Sequence, residues 1–349
     1  MKKIISVFLC AVLAFLCCAC SGGTKAKERY STSFLELFDT ASTVIAYDNS
    51  QQEFDAHYQQ FYDKLAEYDK LYDIYTEYDG IVNLKTVNDT AKDGPVKVDS
   101  RIIDLLEYGK YAYELSGGKT NICFGAVLEL WHDSRTHAVN NPEDAYIPDM
   151  KELKEASKHT DIDSLVIDKE NSTVYFSDPK LKIDVGAVAK GYAVQQVCTW
   201  AQENLWTSGA ISIGGSVYTF GNKNDDGKTL WNIGIENPDT TANDYLFNVA
   251  VTDVSIVTSG DYQRYYTVDG KKYCHIIDPD TLMPAEYVAS VSVICNDSAL
   301  GDVLSTTLFN MSINDGLKLV EGLENVEAVW VDKEYNKTFS SGFEKYIKE

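Results

Sequence analysis

Lys182-Ile-Asp-Val-Gly-Ala-Val-Ala-Lys-Gly-Tyr-Ala193 is the stretch on which the reading of this chain turns. Its apolar run to Val185 reads as a strand, Gly186 as the stop, and Ala187 to about Asn204 as the helix that follows. A helix start leaves backbone N–H groups unpaired, which favours an anion or a polar ring edge. Asp184 can accept hydrogen bonds at the strand end, and Lys190 lies about one turn into the helix, within reach of a phosphate. Taken alone, the segment fits a plain strand–helix turn with a surface lysine better.

Working outward, Ala210-Ile-Ser-Ile-Gly-Gly-Ser216 is a strand ending in paired glycines, which permit close backbone approach by a ligand. Thr258-Ser-Gly-Asp-Tyr-Gln-Arg-Tyr-Tyr266 and Cys274-His-Ile-Ile-Asp-Pro-Asp-Thr281 follow. His275 is the one histidine of five that reads as lying within a strand beside a turn. Asp302-Val-Leu-Ser-Thr306 sets a carboxylate and a hydroxyl at i and i+4 on the first turns of a helix spanning about Gly301 to Met311. Both are hard oxygen ligands suited to Mg²⁺, and an N-cap with a buried hydroxyl is the plainer alternative.

Strand signals dominate the second half, with Asp269-Gly270 as a hairpin turn. In the first half, Phe38 to Tyr47 reads as a first strand. Phe54, Tyr58, Phe61, Leu65, Tyr68 and Tyr72 form the apolar stripe of a helix, and Asp99-Ser100 caps another that ends at Gly117-Gly118. With no internal repeat or linker, residues 32–349 read as one intertwined α+β globule with a strand-rich second half.

The N-terminus sets the compartment. Lys2-Lys3, an apolar run to about Ala19 and Cys17-Cys18-Ala19-Cys20-Ser21-Gly22-Gly23 read as a secretory signal (residues 1–19) ending at a lipidated cysteine. Cys20 is the favoured lipid-bearing residue, with Cys17, Cys18 and an ordinary unlipidated signal as alternatives. Residues 20–31 then form a polar tether, and the protein is extracytoplasmic and lipid-anchored to a bacterial cell membrane. Cys123, Cys198, Cys274 and Cys295 lack metal-site spacing and read as buried free thiols, two disulfides being the alternative. With 31 basic and 53 acidic residues the net charge is -22, which excludes sequence-independent nucleic-acid binding. Any anionic ligand needs a local device: a metal ion, a helix start or a buried lysine.

No phosphate loop, dinucleotide fingerprint, nucleophile elbow or zinc-protease motif is present. Instead Phe38-Asp-Thr40, Asp184-Val-Gly-Ala-Val-Ala-Lys-Gly191, Ile213-Gly-Gly215, Thr258-Ser-Gly-Asp-Tyr262, His275-Ile-Ile-Asp-Pro279 and Asp302-Val-Leu-Ser-Thr306 resemble, in order, the signature of the ApbE family. Members are FAD:protein FMN transferases, often exported lipoproteins. The resemblance spans about residues 34 to 331. It implies an FAD site at Phe38, Tyr75, Lys119, Thr120, Asn121, Asp184, Lys190 and Ile276 or Ile277. A Mg²⁺ site is implied at the Ala187 carbonyl with Asp302 and Thr306. His275 sits at the family's histidine. This chain departs from the pattern in Phe38-Asp39 for the commoner Met-Gly, in Asn121 for Asp, and in Leu282 for Gly.

The implied reaction has an acceptor Thr or Ser hydroxyl attack the flavin-side phosphorus of FAD, with AMP leaving and Mg²⁺ bridging the pyrophosphate. Asp302 is the first choice for taking the hydroxyl proton, and His275 the second. The partners are FAD and an exported or membrane-bound acceptor flavoprotein. The chain itself contains no copy of the family's target motif. An FAD-binding or FAD-hydrolysing lipoprotein without a protein acceptor is one alternative. A solute-binding lipoprotein is another, ranked low because the second half lacks repeated βα lobes, and a thiamine-biosynthesis role is a weaker third.

Overall fold

The computed structural model describes residues 26–348, so the signal, Cys20 and most of the tether lie outside the described residues. An eight-stranded antiparallel sheet organises them. Its strands are β1 (Glu28–Phe34), β2 (Ser42–Asp48), β6 (Gly209–Ile213), β7 (Ser216–Phe220), β10 (Val254–Gly260), β15 (Ser290–Cys295), β16 (Glu327–Val331) and β17 (Lys337–Phe339), side by side in that order. Helices cover one face and a small sheet of β18 (Ile347–Lys348), β9 (Tyr245–Val251) and β8 (Trp231–Glu236) covers the other.

The period of two in the central strands makes this layering possible, because alternate side chains feed different cores. Along β10, Val254 and Ile256 join Trp231, Ile235, Val249 and Val251 in the core beneath the small sheet. The helix side holds α1 (Gln51–Tyr72), α2 (Leu84–Thr90), α3 (Ser100–Leu115), α6 (Ala189–Asn204) and α7 (Ser298–Phe309). Ser50 caps α1, its side chain accepting from the Glu53 N–H at 3.2 Å. The helix then buries Phe54, Phe61, Leu65, Tyr68 and Tyr72 of the expected stripe. Asp99 caps α3 as anticipated, accepting from the Arg101 N–H at 2.9 Å.

A lobe beside the sheet completes the fold. Its helices are α4 (Gly125–Asn140) and α5 (Met150–Ala156), and α8 (Ile313–Glu321) lies against β16. β3 (Val96–Lys97), β5 (Thr173–Phe176) and β4 (Leu165–Asp168) form one small sheet. β11 (Tyr265–Val268) pairs with β12 (Lys271–Cys274), and β13 (Ile277–Asp278) with β14 (Met283–Pro284). The β11–β12 turn is Asp269-Gly270, both residues at positive φ, 49° and 79°, as a tight hairpin of this twist requires. All four cysteines outside the leader are buried free thiols.

Five local expectations are corrected. The polar stretch expected to run as tether to Ser31 gives way to β1 at Glu28, because its backbone pairs with β2 from Glu28↔Asp48 to Phe34↔Ser42. Residues 38–41 belong to a turn, with Phe38 and Asp39 at φ 54° and 50°, so the strand expected from Phe38 starts at Ser42. Lys182 to Val185 is extended but joins no sheet; its polar groups meet the Gly125 N–H, the Asn88 side chain and the Ile122 carbonyl instead. His275 follows β12 instead of lying within it. Finally, α7 begins at Ser298 under an Asp297 cap, so Asp302 and Thr306 sit in its second and third turns.

Candidate functional site

Two clusters meet beside the β6–β7 turn. The first lies where α6 crosses α7. Gly191 makes the crossing possible: a Cβ there would stand 2.4 Å from both the Asp302 Cβ and the Ser298 carbonyl oxygen. With only hydrogen at that position, the buried Asp302 (6% exposed) accepts from the Gly191 N–H at 2.7 Å and from Lys190 Nζ at 3.1 Å. Lys190 also bonds the Ser216 hydroxyl, tying this corner to β7. Thr306 lies one turn beyond Asp302 on the same helix and is half-buried, as is Ala187 just before α6.

The oxygen groups available near this corner are the Asp302 carboxylate, the Thr306 hydroxyl one turn on along α7 and the Ala187 carbonyl just before α6, with the Lys190 ammonium already paired to the carboxylate. So sparse a protein set fits Mg²⁺, which keeps several waters and takes phosphate oxygens in place of a full protein cage. No group of three or more His, Cys, Asp or Glu side chains among the described residues could hold a metal by itself.

The second cluster is an open basin. Tyr75 stacks on the His132 ring at 5.1 Å, and Arg135 Nη2 lies 3.2 Å from His132 Nδ1. Arg264 reaches across to donate to the Asp39 carbonyl at 3.2 Å. The Arg264 carbonyl in turn accepts from the His275 backbone N–H at 3.0 Å and from its ring Nδ1 at 3.1 Å. Asp184 Oδ1 accepts from the Gly186 N–H at 2.8 Å, closing a tight turn before α6.

The electrostatics couple these residues into one neighbourhood at the protein surface. Tyr75 is 57% exposed and His275 also presents open surface, yet both are strongly desolvated by their surroundings. Desolvation, with Asp184 nearby, pushes the Tyr75 hydroxyl up to about 12. Desolvation also raises Asp184, opposed by the Gly186 N–H, His132 and Arg135. It lowers Arg135, with repulsion from Arg264 adding to it. His275 is brought down to about 4 by desolvation and then by Arg264 and Arg135. Two guanidiniums crowd together here on neutral partners, in a chain of net charge -22. That is a ready counter-charge for a polyanion.

The candidate residues divide accordingly. Tyr75, Asp184 and His275 share the neighbourhood of Arg135 and Arg264, while Lys190 and Asp302 meet at the helix crossing with Thr306 one turn further along the same helix; Phe38 packs against the helix-side core, its N–H donating to Asp69 at 2.9 Å. Asp184, expected to face one ligand together with Lys190, accepts from the Gly186 N–H, and Lys190 bonds Asp302 and Ser216. Lys119, Thr120 and Asn121 are engaged in the framework. Lys119 Nζ bonds Asp278 and Asp280, each at 2.8 Å, and the buried Thr120 shares a hydroxyl contact with Thr307 at 2.9 Å. The Asn121 side chain donates to the Thr160 carbonyl at 2.9 Å and accepts from the Cys123 N–H at 2.8 Å. Ile276 and Ile277 are buried, with the Ile276 carbonyl accepting from the Ala285 N–H at 3.0 Å.

Sequence reasoning missed Arg135 and His132 because it placed no helix over Gly125–Asn140. Leu128, Leu130 and Trp131 carried an apolar signal there, but no side-chain cap marks its start. Arg264 lay inside a quoted motif without an assigned role.

Comparison with known proteins points the same way. The ApbE family model matches residues 38–330. An FAD:protein FMN transferase from Treponema pallidum (strain Nichols) is 31% identical over 271 residues, covering 74% of this chain and 73% of that protein. One from Klebsiella pneumoniae (strain 342) is 28% identical over 257 residues, 73% and 76% of the two chains. Among solved structures, the ApbE protein of Thermotoga maritima superposes with a TM-score of 0.80 at 28% identity, covering 92% of this chain and all of the other. Flavin transferase ApbE from Vibrio cholerae shares the fold with a TM-score of 0.76 at 22% identity, covering 92% of this chain and 99% of that one.

Proposed function

This chain belongs to the ApbE family, and we propose that it is an FAD:protein FMN transferase. It transfers FMN from FAD to a protein hydroxyl. The acceptor Ser or Thr oxygen bonds to the flavin-side phosphorus, the bond from that phosphorus to the bridging pyrophosphate oxygen breaks, and AMP leaves with that oxygen. The observation that carries this reading is the two-guanidinium basin beside an oxygen-donor corner in an otherwise acidic molecule. Mg²⁺ held by Ala187, Asp302 and Thr306 would neutralise charge on the pyrophosphate oxygens when bound.

The chain's own groups supply the rest. Arg135 and Arg264 oppose the phosphate charge. Lys190 adds a third cation and orients the Asp302 carboxylate. Both Asp302 oxygens already accept bonds, so His275 is the better proton acceptor. A carbonyl can only accept, so its contact with Nδ1 puts the proton there and leaves the Nε2 lone pair free. FAD bound nearby brings negative charge, which lifts the basicity of that nitrogen towards its task.

The chain is also proposed to act outside the cytoplasm, lipid-anchored through Cys20 and modifying an exported or membrane-bound acceptor. Cys20→Ala should release it from membranes or block its processing; a variant still lipidated and membrane-bound would exclude Cys20. For the reaction, the full chain is incubated with FAD, Mg²⁺ and an acceptor flavoprotein, and intact masses are recorded. The acceptor should gain one FMN, and EDTA should abolish the gain. Release of AMP with no labelled acceptor would favour the FAD-hydrolysing alternative.

A further inference from the structure

Ser259, of the Thr258-Ser-Gly-Asp-Tyr262 motif, lies on β10 and bonds α7, the helix that carries Asp302 and Thr306. Three hydroxyls follow one another on that helix: Ser305, Thr306 and Thr307. A threonine inside a helix commonly turns its hydroxyl back onto the carbonyl four residues earlier. Thr90 does so in α2, donating to the Thr86 carbonyl at 2.7 Å. Thr306 does not, and among the described residues its hydroxyl has no hydrogen-bond partner.

The cause lies one residue back. The carbonyl four residues before Thr306 is that of Asp302, and the Ser305 hydroxyl donates to it at 3.1 Å. The ladder bond of the α-helix takes the other lone pair of this oxygen. Ser305 is fully buried and spends its one proton on Asp302, so the Ser259 hydroxyl, 2.9 Å away, is the donor to Ser305. Ser259 thereby commits Ser305 to the Asp302 carbonyl. Thr307 is engaged separately, its hydroxyl 2.9 Å from that of Thr120.

We propose that Ser259 and Ser305 are positioning residues for the metal corner. By filling the Asp302 carbonyl they deny Thr306 its local partner and keep its hydroxyl available as an oxygen ligand one turn beyond the carboxylate. A back-bonded Thr306 would have to change rotamer before it met a cation, and affinity falls with the fraction of molecules in the competent rotamer. The inference rests on the Mg²⁺ reading and extends that site to a strand and a helix position that do not touch the ion.

Two readouts on the full chain test it, neither of them turnover. The first needs no metal: three-bond NMR couplings to the Thr306 methyl report its χ1. Ser305→Ala vacates the Asp302 carbonyl and should move χ1 to the back-bonding rotamer. Ser259→Ala leaves Ser305 in place and should move it less. The second readout is calorimetric titration with Mg²⁺ alone. Ser305→Ala should weaken binding about threefold or more, and in each variant the loss should match the fraction of Thr306 still in the rotamer of the unmodified chain. An unchanged χ1 in Ser305→Ala, or a changed χ1 with Mg²⁺ affinity intact, would overturn the proposal. So would a weakened affinity in Ser259→Ala without any change in χ1, since that is the mark of a helix merely loosened. A χ1 that moves as expected in a chain that takes up no Mg²⁺ counts against the metal reading and leaves the hydroxyl relay standing.

Discussion

Arg264 acts on His275 in two separable ways: its carbonyl fixes the ring tautomer and its guanidinium opposes ring protonation. Arg264→Met removes the second and keeps the first. The His275 ring, held near 4, should then titrate closer to the ordinary value of about 6.5. Ring NMR on both proteins reads this directly, and identical titrations would leave desolvation, the larger cause, without a contribution from the Arg264 charge. The sign for stability follows from linkage. A histidine whose folded value is depressed binds fewer protons folded than unfolded between about 4 and 6.5, so its contribution to stability grows as pH rises through that window and is flat above it. Thermal unfolding should show a shallower pH dependence there in Arg264→Met. His275 was legible in the sequence because it stands beside a turn in a quoted motif. Its tautomer was not, because the carbonyl that sets it lies 11 residues away across a hairpin.

Elements explain why the motif residues are there at all. Gly191 looked like part of an anion-binding helix start, yet its structural role is to let α6 and α7 touch. Gly191→Ala forces those helices apart or bends the Asp302 side chain, a kind of overpacking that costs roughly 1–3 kcal/mol. The midpoint of chemical denaturation should fall accordingly, and Mg²⁺ affinity by calorimetry should fall with it. A fully stable variant with unchanged Mg²⁺ binding would show that the crossing has slack. Leu282 illustrates the same logic from the other side. Its φ of 62° explains a position suited to glycine, while its buried side chain and the 3.0 Å bond from Trp131 to its carbonyl offset the backbone cost. Helices α1 and α3 were legible from stripes and caps. The extended segment 182–185 was misread as a strand because apolar alternation cannot tell whether a partner is another strand, an asparagine side chain or a loop carbonyl.

At the scale of the whole molecule, the α+β class and the strand-rich second half were readable from periodicity, whereas the strand order was not. Pairing of β2 with β6 joins residues more than 160 positions apart, a contact that no local pattern encodes. Net charge was readable too, and it sets a kinetic expectation. A chain of charge -22 repels the FAD pyrophosphate at long range, while Arg135 and Arg264, in the site proposed above, would attract it only at close quarters. Salt shortens the screening length from about 10 Å at 0.1 M to about 3 Å at 1 M, so the distant repulsion is screened before the local attraction. The FAD association rate, read by stopped-flow quenching of flavin fluorescence, should therefore rise with ionic strength. Dissociation should quicken as well, since contacts between guanidinium and phosphate weaken in salt. Arg135→Gln should slow association at every salt concentration while keeping its upward slope. An association rate that falls with salt would mean that the basin, and not the surface as a whole, governs the approach of FAD.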